Sequence, residues 1–282
     1  MVKIISDSTC DLSNDLLSKY DVTILPLHIL LGEKEYLDRV SITSKEIYTW
    51  ADANKTTPKT SAPSLDDAIA LLTPYAEAGQ EVVCFSISDE MSASGNVMRL
   101  AAEALHAEDK IKVINSANLS TGIGLLVIEA AIMAKEGKNV DEIVSKIEAL
   151  KPQVRSSFVV DTLLYLYRGG RCSGLAAMAG GALKLHPKII VDNGKMKPTK
   201  KYRGQISKVV LSYVTDLEEE LKKAKKDRVF ITHSGCDREL VGEVRAYLES
   251  LNHFHEVLET EAGGVISCHC GPGTLGVLFI EA

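Results

Sequence analysis

The sequence predicts an α/β protein of two domains: a largely parallel sheet flanked by helices, then a smaller mixed α+β domain, with a ligand cleft between them. Three observations lead to this prediction. In the first half, apolar β-prone runs alternate with helical patterns, which is typical of a parallel sheet covered on both faces. In the second half, the Asn193-Gly194 pair separates two β-prone segments and predicts an antiparallel hairpin. No low-complexity linker interrupts the chain, so we expect the N-terminal domain (residues 1–153) and the C-terminal domain (residues 154–282) to pack closely.

Strand and helix patterns alternate through the N-terminal half. Four apolar runs predict strands at Val2–Ile5, Val22–Leu31, Glu81–Ile87 and Lys110–Asn115. Helices are predicted from Ser13 to Lys19, from Ser44 onward, from Ser64 to Ala76, from Gly95 to His106, from Ser120 to Gly137 and from Val140 to Leu150. We expect Ser13, Ser64 and Ser120 to be N-caps, because a serine hydroxyl accepts a hydrogen bond from a free backbone N–H.

The C-terminal half combines a hairpin with helices. Beta-prone runs at Ile189–Asp192 and Lys195–Thr199 flank the Asn-Gly pair, whose preference for positive φ suits a type I′ turn. Helical patterns follow at Ser207–Lys225 and Arg238–Asn252. Strands are predicted at Arg228–His233 and Leu275–Ile280. An antiparallel hairpin mixed with helices predicts an α+β arrangement.

Composition and charge argue against several classes of function. The net charge of −6 provides no general attraction to nucleic acid or to anionic membranes. No apolar run approaches the roughly 20 residues that span a bilayer, and the opening residues lack the basic and long apolar regions of a signal peptide. Six cysteines without dense, regular spacing indicate reduced thiols. These features predict a cytoplasmic protein.

Two loops rich in hydroxyl groups are candidate anion sites. Thr60 and Ser61 lie between Pro58 and Pro63, which hold the segment extended and leave its hydroxyl and N–H groups free. Ser92 lies in a loop of small residues between a strand and a helix, where unpaired N–H groups and the helix dipole favour an anion. Both loops also have an ordinary explanation, because such serines often simply cap the following helix.

Two further motifs combine charged and small residues. The run Arg168-Gly-Gly-Arg171 presents two guanidinium groups that suit a carboxylate or phosphate, and it fits a helix C-terminus with a glycine C-cap equally well. Asp7-Ser8-Thr9 follows the first strand, at the sheet edge where ligands of open α/β folds gather. A turn stabilised by its own side chains explains these three residues better, so we expect a structural role for them.

Cys268-His269-Cys270 suggests zinc at first sight. Consecutive residues point in different directions, however, and the sequence contains no Cys-x-x-Cys or His-x-x-x-His motif that could complete the site. We therefore expect no metal. His269 precedes a Gly-Pro-Gly turn and is better explained as a positioned hydrogen-bond donor, with a merely packed histidine as the alternative.

Basic residues cluster between Lys195 and Arg203, in contrast to the acidic net charge. The cluster fits a solvated hairpin edge, where lysines discourage pairing with other strands. It also fits a surface for an acidic protein partner.

Taken together and in this order, the motifs resemble those of the DegV family. The resemblance covers essentially the full length and is more specific than any single motif. It rests on Asp7-Ser-Thr-Cys-Asp-Leu12, Lys59-Thr-Ser-Ala-Pro-Ser64, Met91-Ser92 with Arg99-Leu-Ala-Ala102, Arg168-Gly-Gly-Arg171, and His269-Cys-Gly-Pro-Gly273.

The resemblance implies a protein that buries one long-chain fatty acid in its N-terminal domain, with the carboxylate in the cleft between domains. Carried over by motif, Thr60 and Ser92 would hydrogen-bond the carboxylate and His269 would complete the network. Ser61 and Arg171 are further candidates for the fatty-acid-binding site. No cofactor is implied.

The same resemblance implies a lipid carrier and not an enzyme. Such a carrier presents the bound carboxylate to a separate fatty acid kinase, and Lys200, Lys201 and Arg203 would face that kinase. The chain departs from the family where Leu-Ser-Gly-Thr-Tyr is common, since it has Met91-Ser-Ala-Ser-Gly95. Ser92 keeps the hydroxyl of the family motif, whereas Gly95 replaces its bulky tyrosine. This replacement affects the expected shape of the cleft.

Burying an acyl chain gains about 0.8 kcal/mol per methylene, and the aliphatic helices at Leu65–Ala76 and Ile123–Ala134 are expected to supply the apolar walls. The main alternative is a hydrolase or phosphotransferase that uses Ser92 and His269. Against it, the sequence has no Gly-x-Ser-x-Gly elbow and no Walker-type loop. A binder of another amphiphile or of a phosphate ester, and a scaffold without a ligand, remain open.

Overall fold

The computed structural model describes residues 1–172 and 185–282. The strands in these ranges are β1 (Lys3–Asp7), β2 (Val22–Leu25), β3 (His28–Leu31), β4 (Lys34–Leu37), β5 (Lys59–Ser61), β6 (Val82–Ser86), β7 (Ile111–Asn115), β8 (Val154–Val159), β9 (Leu185–Asp192), β10 (Lys195–Arg203), β11 (Ala224–Ser234), β12 (Glu256–Glu261) and β13 (Thr274–Glu281). The helices are α1 (Asn14–Tyr20), α2 (Ser44–Asn54), α3 (Leu65–Glu77), α4 (Ser94–Ala104), α5 (Thr121–Lys135), α6 (Val140–Leu150), α7 (Leu164–Gly169), α8 (Ile206–Asp216), α9 (Glu218–Leu221), α10 (Arg238–Ser250) and α11 (Gly264–Cys270).

Four strands form a wholly parallel sheet in the order β2-β1-β6-β7. Successive residues of a strand face opposite sides of the sheet. Ile4 therefore packs on the face covered by α1, α5 and α6, while Ile5 packs on the face covered by α3 and α4. This doubly covered parallel sheet confirms the fold class predicted for the first half.

A small antiparallel sheet, in the order β4-β3-β5, lies beside the parallel one. The prediction of a single strand over Val22–Leu31 is wrong, because Pro26 separates β2 from β3 and the two strands belong to different sheets. Proline has no N–H for a sheet ladder and fixes its own φ, so the chain leaves the parallel sheet there. The change of direction brings β5 alongside β3, with Thr60 opposite Ile29.

Six strands form a mixed sheet in the order β10-β9-β8-β13-β11-β12, in which β11 and β12 are parallel and the other neighbours antiparallel. The predicted hairpin is confirmed: Asn193 and Gly194 have φ of 48° and 77°, as a type I′ turn requires. The prediction of one helix over Ser207–Lys225 is wrong. Helix α8 ends at Asp216, α9 is a single short turn, and Lys225 lies in β11 because pairing with β13 extends that strand.

Helix α5 lies between the parallel sheet and the six-stranded sheet. It is mostly apolar, and Leu125, Leu126, Val127 and Ile128 are fully buried, while half-buried Glu129 is paired with Arg228. The helix contacts β1 and β6 on one side and β8 and β13 on the other. A helix with so broad an apolar surface has to be covered on more than one side, so both sheets are needed to bury it.

Ser120 does not cap α5, contrary to the prediction. Its φ is 52°, it makes no side-chain bond to the helix, and its hydroxyl donates to Oδ2 of Asp11 at 2.6 Å. A buried carboxylate needs donors and makes the stronger hydrogen bond, so it takes the hydroxyl. The caps predicted at Ser13 and Ser64 are confirmed, since each side chain accepts from a backbone N–H of the first turn.

The two halves share one apolar core, which includes Phe85 of β6, Ile128 of α5 and Leu278 of β13. The boundary after residue 153 stays a prediction. A second apolar cluster lies on the other face of the six-stranded sheet, under α8 and α10. In residues 1–172 and 185–282, no helix combines the length and the apolar character that crossing a bilayer requires.

We predict that Leu126→Ala lowers the free energy of unfolding by about 2–5 kcal/mol, because it opens a cavity in the fully buried middle helix. Chemical denaturation of the purified protein measures this loss. Leu100→Ala is the matched control: Leu100 is 44% exposed on α4, so its loss should change the free energy by no more than about 0.5 kcal/mol. Equal effects of the two substitutions would contradict the packing described for α5.

Candidate functional site

A cavity of about 210 Å³ lies where loops of the parallel sheet meet α11 and the six-stranded sheet. All five residues predicted for a site line it: Thr60, Ser61, Ser92, Arg171 and His269. The first three come from the N-terminal half and the last two from the C-terminal half. The cavity therefore lies between the two predicted domains, as expected for the cleft. Contact of these residues with a ligand stays a prediction.

Strand β5 holds Thr60 half-buried and Ser61 exposed at the edge of the cavity. Its backbone is fixed by pairing with β3, where Ser61 lies opposite His28. The ring of His28 lies 2.9 Å from Oδ2 of Asp67, and the same oxygen accepts from Ser64 at the start of α3. The predicted extended segment is thus a short strand anchored at both ends.

Ser92 lies in the loop between β6 and α4. Its N–H donates to the carbonyl of Ser88 at 3.1 Å, and its hydroxyl oxygen accepts from the N–H of Ser94 at 3.2 Å. The hydroxyl of Ser94 donates to Oδ2 of Asp7, which also accepts from the N–H of Ile87. Buried Asp7 therefore fixes the loop, in agreement with the structural role predicted for it.

His269 lies on α11 with its Nε2 atom 2.8 Å from the hydroxyl oxygen of Thr60. Its Nδ1 atom is buried and has no hydrogen-bond partner in the part of the chain that the structure describes. Burial, and secondly the positive charge of Arg171, lower the pKa of His269 to about 4. The imidazole is therefore neutral at neutral pH.

The neighbouring cysteines point away from a common site, as expected of consecutive residues on a helix. Cys268 packs in the cluster around Ile29 and Ile47, whereas Cys270 lines the cavity. Across residues 1–172 and 185–282, no group of three or more His, Cys, Asp and Glu side chains is arranged to hold a metal ion.

Arg171 follows α7, where Gly170 has a φ of 65° and ends the helix. The interpretation of this motif as a helix C-terminus is thus confirmed, and it does not exclude a ligand role. The guanidinium donates to the carbonyl of Gly169 at 2.8 Å and to that of Met91 at 3.4 Å. Arg171 therefore connects the end of α7 to the loop that carries Ser92.

The described lining of the cavity includes no residue of Leu65–Ala76 or Ile123–Ala134, because those helices bury their apolar side chains in the cores. Their role as walls around an acyl chain stays a prediction. Short segments next to strand ends and α11 supply the wall instead: Leu27, Ile87, Met91, Leu119, Met196, Val265 and Ile266. Such isolated apolar residues give no periodic signal in the sequence.

A smaller cavity of about 20 Å³ lies beside the first, against the six-stranded sheet. The two share Leu119, Ile266 and Cys270, and Phe158 and Leu278 line the smaller one. The polar residues Ser61 and Arg171 are exposed at the opening of the site, whereas most of its buried lining is apolar.

Fold and site together define a class: α/β proteins in which a parallel and a mixed sheet enclose a ligand cavity with an apolar interior and a polar opening. A family model described as "Uncharacterised protein, DegV family" matches residues 1–282. A DegV domain-containing protein of Deinococcus radiodurans is 31% identical over 281 residues, which cover 98% of this chain and 97% of that protein. The chain belongs to the DegV family.

Solved structures agree with this assignment. A protein of Thermus thermophilus, described as a fatty-acid-binding DegV family protein, has a TM-score of 0.89 at 28% identity and covers 100% of this chain and 99% of its own. A stearic-acid-binding protein of Eubacterium ventriosum has a TM-score of 0.87 at 32% identity and covers 100% of this chain and 98% of its own. The folds match over the whole chain.

We predict that nuclear magnetic resonance titration of the ligand-free protein gives His269 a pKa near 4. Arg171→Gln should raise this pKa but leave it below the ordinary 6.5, since burial is the larger cause. Arg168→Gln, which removes a charge from the same motif, is the control and should leave the pKa unchanged. The folded pKa lies below the unfolded one, so the stability from this group is complete above about pH 6.5 and is lost as the pH falls towards 4. A wild-type midpoint near 6.5 would contradict the described burial.

Proposed function

We propose that this protein binds one long-chain fatty acid, with the acyl chain in the apolar cavity and the carboxylate at its polar opening. One observation carries the proposal: hydroxyl, imidazole and guanidinium groups converge at the opening of a cavity whose interior is apolar. An amphiphile with one anionic end matches this distribution, because its chain leaves water while its charge keeps hydrogen-bond donors.

The carboxylate would lie among Thr60, Ser61 and Ser92, near His269 and the charge of Arg171. Hydroxyl groups donate to a carboxylate directly, and Arg171 supplies the opposite charge. Neutral His269 is already held by Thr60 and can donate one N–H. The site thus offers several neutral donors and a single guanidinium, which suits a monoanion.

The acyl chain would pass Leu119 and Ile266 into the smaller cavity between the sheets. At about 210 Å³ the main cavity is smaller than the roughly 300–1,000 Å³ typical of ligand pockets. A long chain therefore has to separate the side chains shared by the two cavities. The fatty-acid-binding Thermus protein and the stearic-acid-binding Eubacterium protein, both similar over the whole chain, support a lipid of this kind.

We infer that the chain is a carrier and not an enzyme. A serine hydrolase needs a basic histidine that contacts the nucleophile and is oriented by a third group. Here Nε2 of His269 contacts Thr60 and not Ser92, and its Nδ1 has no partner among the described residues. A pKa lowered to about 4 also makes this imidazole a poor general base. The geometry thus favours holding a carboxylate over attacking an ester.

We further propose that the bound carboxylate is presented to a separate fatty acid kinase. The supporting feature is the exposed basic edge of β10, with Lys200, Lys201 and Arg203. The same hairpin reaches the site, since Met196 lines the cavity and the hydroxyl of Ser88 donates to the carbonyl of Gly194 at 2.8 Å. Since Met196 is at the start of β10 and the basic residues are at its end, a partner would have to contact much of this strand to reach the cavity.

We predict that Thr60→Ala and Ser92→Ala each weaken stearate binding about 10- to 100-fold. A hydrogen bond to a charged group contributes roughly 1.5–3 kcal/mol, which converts to that range in Kd. Displacement of a fluorescent fatty acid measures the affinity, and native mass spectrometry of the purified protein identifies any lipid carried from cells. Thr49→Ala, on an exposed turn of α2, is the control. Unchanged affinity in both site variants would contradict the proposed carboxylate site.

For the kinase partner, we predict that the double variant Lys201→Glu and Arg203→Glu slows acyl phosphate formation at least about tenfold, because reversed charge weakens docking of an acidic surface. The assay uses a bacterial fatty acid kinase, ATP and the lipid-loaded protein. Stearate affinity should stay unchanged. Lys146→Glu, on the exposed side of α6, is a charge reversal away from this edge and should not slow the reaction. Equal rates in all proteins would exclude this edge as the docking surface.

A further inference from the structure

Helix α11 carries His269 but begins without a side-chain cap of its own. Its N-cap residue, Gly263, has no side chain to accept from the free N–H groups of the first turn. Such groups need acceptors when they are buried. Gly264 at the start of the helix is buried, so the acceptors have to come from elsewhere in the chain.

Two buried carboxylates from the N-terminal half supply them. Oδ1 of Asp11 accepts from the N–H of Gly263 at 2.8 Å, and Oδ1 of Asp38 accepts from the N–H of Gly264 at 2.7 Å. Asp11 follows β1 and Asp38 follows β4, so both are distant from α11 in sequence. Negative charge at a helix N-terminus is favourable, because the helix dipole is positive there.

The second oxygen of each carboxylate is fixed as well. Oδ2 of Asp11 accepts from Ser120 at 2.6 Å, and Oδ2 of Asp38 accepts from Ser8 at 2.7 Å. The positive charge of Arg39 lies close to both carboxylates. Because both oxygens of each carboxylate have a partner, each aspartate side chain is held in one orientation.

The two glycines allow this close approach. A Cβ atom on Gly263 would lie 3.1 Å from Oδ1 of Asp11, and a Cβ on Gly264 would lie 2.6 Å from Ile29 and 2.8 Å from Ile47. Any larger residue at 264 would push the start of the helix away from Asp38. The backbone of α11 is thus placed by its contacts at the first turn.

The opposite end of α11 carries the site. His269 lies one to two turns after the gripped glycines, and Val265 and Ile266 line the same cavity. A tilt of this short helix would move the imidazole away from Thr60, which it now contacts at 2.8 Å. The position of His269 therefore depends on the aspartates at the start of the helix.

We propose that Asp11 and Asp38 are positioning residues, which grip the N-terminus of α11 and thereby hold His269 against Thr60. Their effect on lipid affinity rests on the proposed function, whereas their effect on the position of His269 does not. These contacts join the N-terminal half of the chain to the helix that carries His269.

Burial and the neighbouring charges shift the pKa values of Asp11 and Asp38. Burial raises the pKa of Asp11 to about 7, against the hydrogen bond from Ser120 and the charge of Arg39, with Asp38 and the Cys10 and Cys270 thiols also nearby. Burial also raises the pKa of Asp38, which faces Arg39, Ser8 and Cys268. The folded pKa of Asp11 exceeds the unfolded one, so its contribution to stability is complete below about pH 4 and is lost as the pH rises through 7. Asparagine keeps an acceptor oxygen without this titration.

The experiment compares Asp11→Ala and Asp38→Ala with the asparagine variants at the same positions. The imidazole resonances of His269 are recorded without lipid, and stearate affinity is measured separately. We expect both alanine variants to shift or broaden the His269 resonances and to weaken stearate binding at least about tenfold. The asparagine variants should restore most of both, because each keeps an acceptor for the glycine N–H.

Leu248→Ala is the control for lost stability alone. Leu248 of α10 is fully buried in the apolar cluster on the other face of the six-stranded sheet and does not line the cavity. It should lower stability without moving the His269 resonances. If an alanine variant does not fold, Gly264→Ala replaces it, since it displaces the helix while keeping both carboxylates, and the same change at His269 is expected.

Unchanged His269 resonances in folded Asp11→Ala and Asp38→Ala proteins would overturn the proposal. So would a shift of the same size in Leu248→Ala, because it would assign the effect to a general loss of stability. If the wild type binds no stearate, the proposed function fails, yet the resonances of His269 still decide whether the aspartates position it.

Discussion

The burial of α5 is the constraint on which the rest of the structure depends. Most of the surface of this helix is apolar, so it has to be shielded from water on more than one side. The parallel sheet buries one side and the six-stranded sheet buries the other. The two halves of the chain are therefore held at a fixed separation by a shared apolar core. A cavity between them is possible because both walls belong to rigid, well-packed elements.

The site lies at the polar margin of this core, where strand ends and helix starts leave backbone groups without partners. Three buried aspartates accept hydrogen bonds from such groups: Asp7 at the end of β1, Asp11 after it, and Asp38 after β4. Unpaired, such carboxylates would destabilise the fold. Paired as they are, they fix the loop of Ser92 on one side of the cavity and α11 on the other. Structural polar contacts thus produce the geometry of the site.

Arg171 is the charged side chain among the described residues that line the cavity. Burial and Arg171 keep His269 neutral, so the guanidinium is the cation closest to the hydroxyl groups among the described lining residues. The imidazole contributes a hydrogen bond without a second positive charge. Neutral donors beside one exposed cation can hold an anion and still release it, because little of the interaction is a desolvated ion pair. This balance suits a carrier better than a catalyst.

The sequence by itself determined the alternation of strands and helices in the first half, the type I′ hairpin and the caps at Ser13 and Ser64, because these depend on residues close in the chain. Through ordered motifs it also selected Thr60, Ser61, Ser92, Arg171 and His269, which all line one cavity and whose contact with a ligand stays a prediction. Tertiary structure decided the rest. The bond from Ser120 to Asp11 and the extension of β11 back to Ala224 both depend on partners distant in sequence. The apolar wall of the cavity consists of single residues from separate loops, and folding alone brings them together.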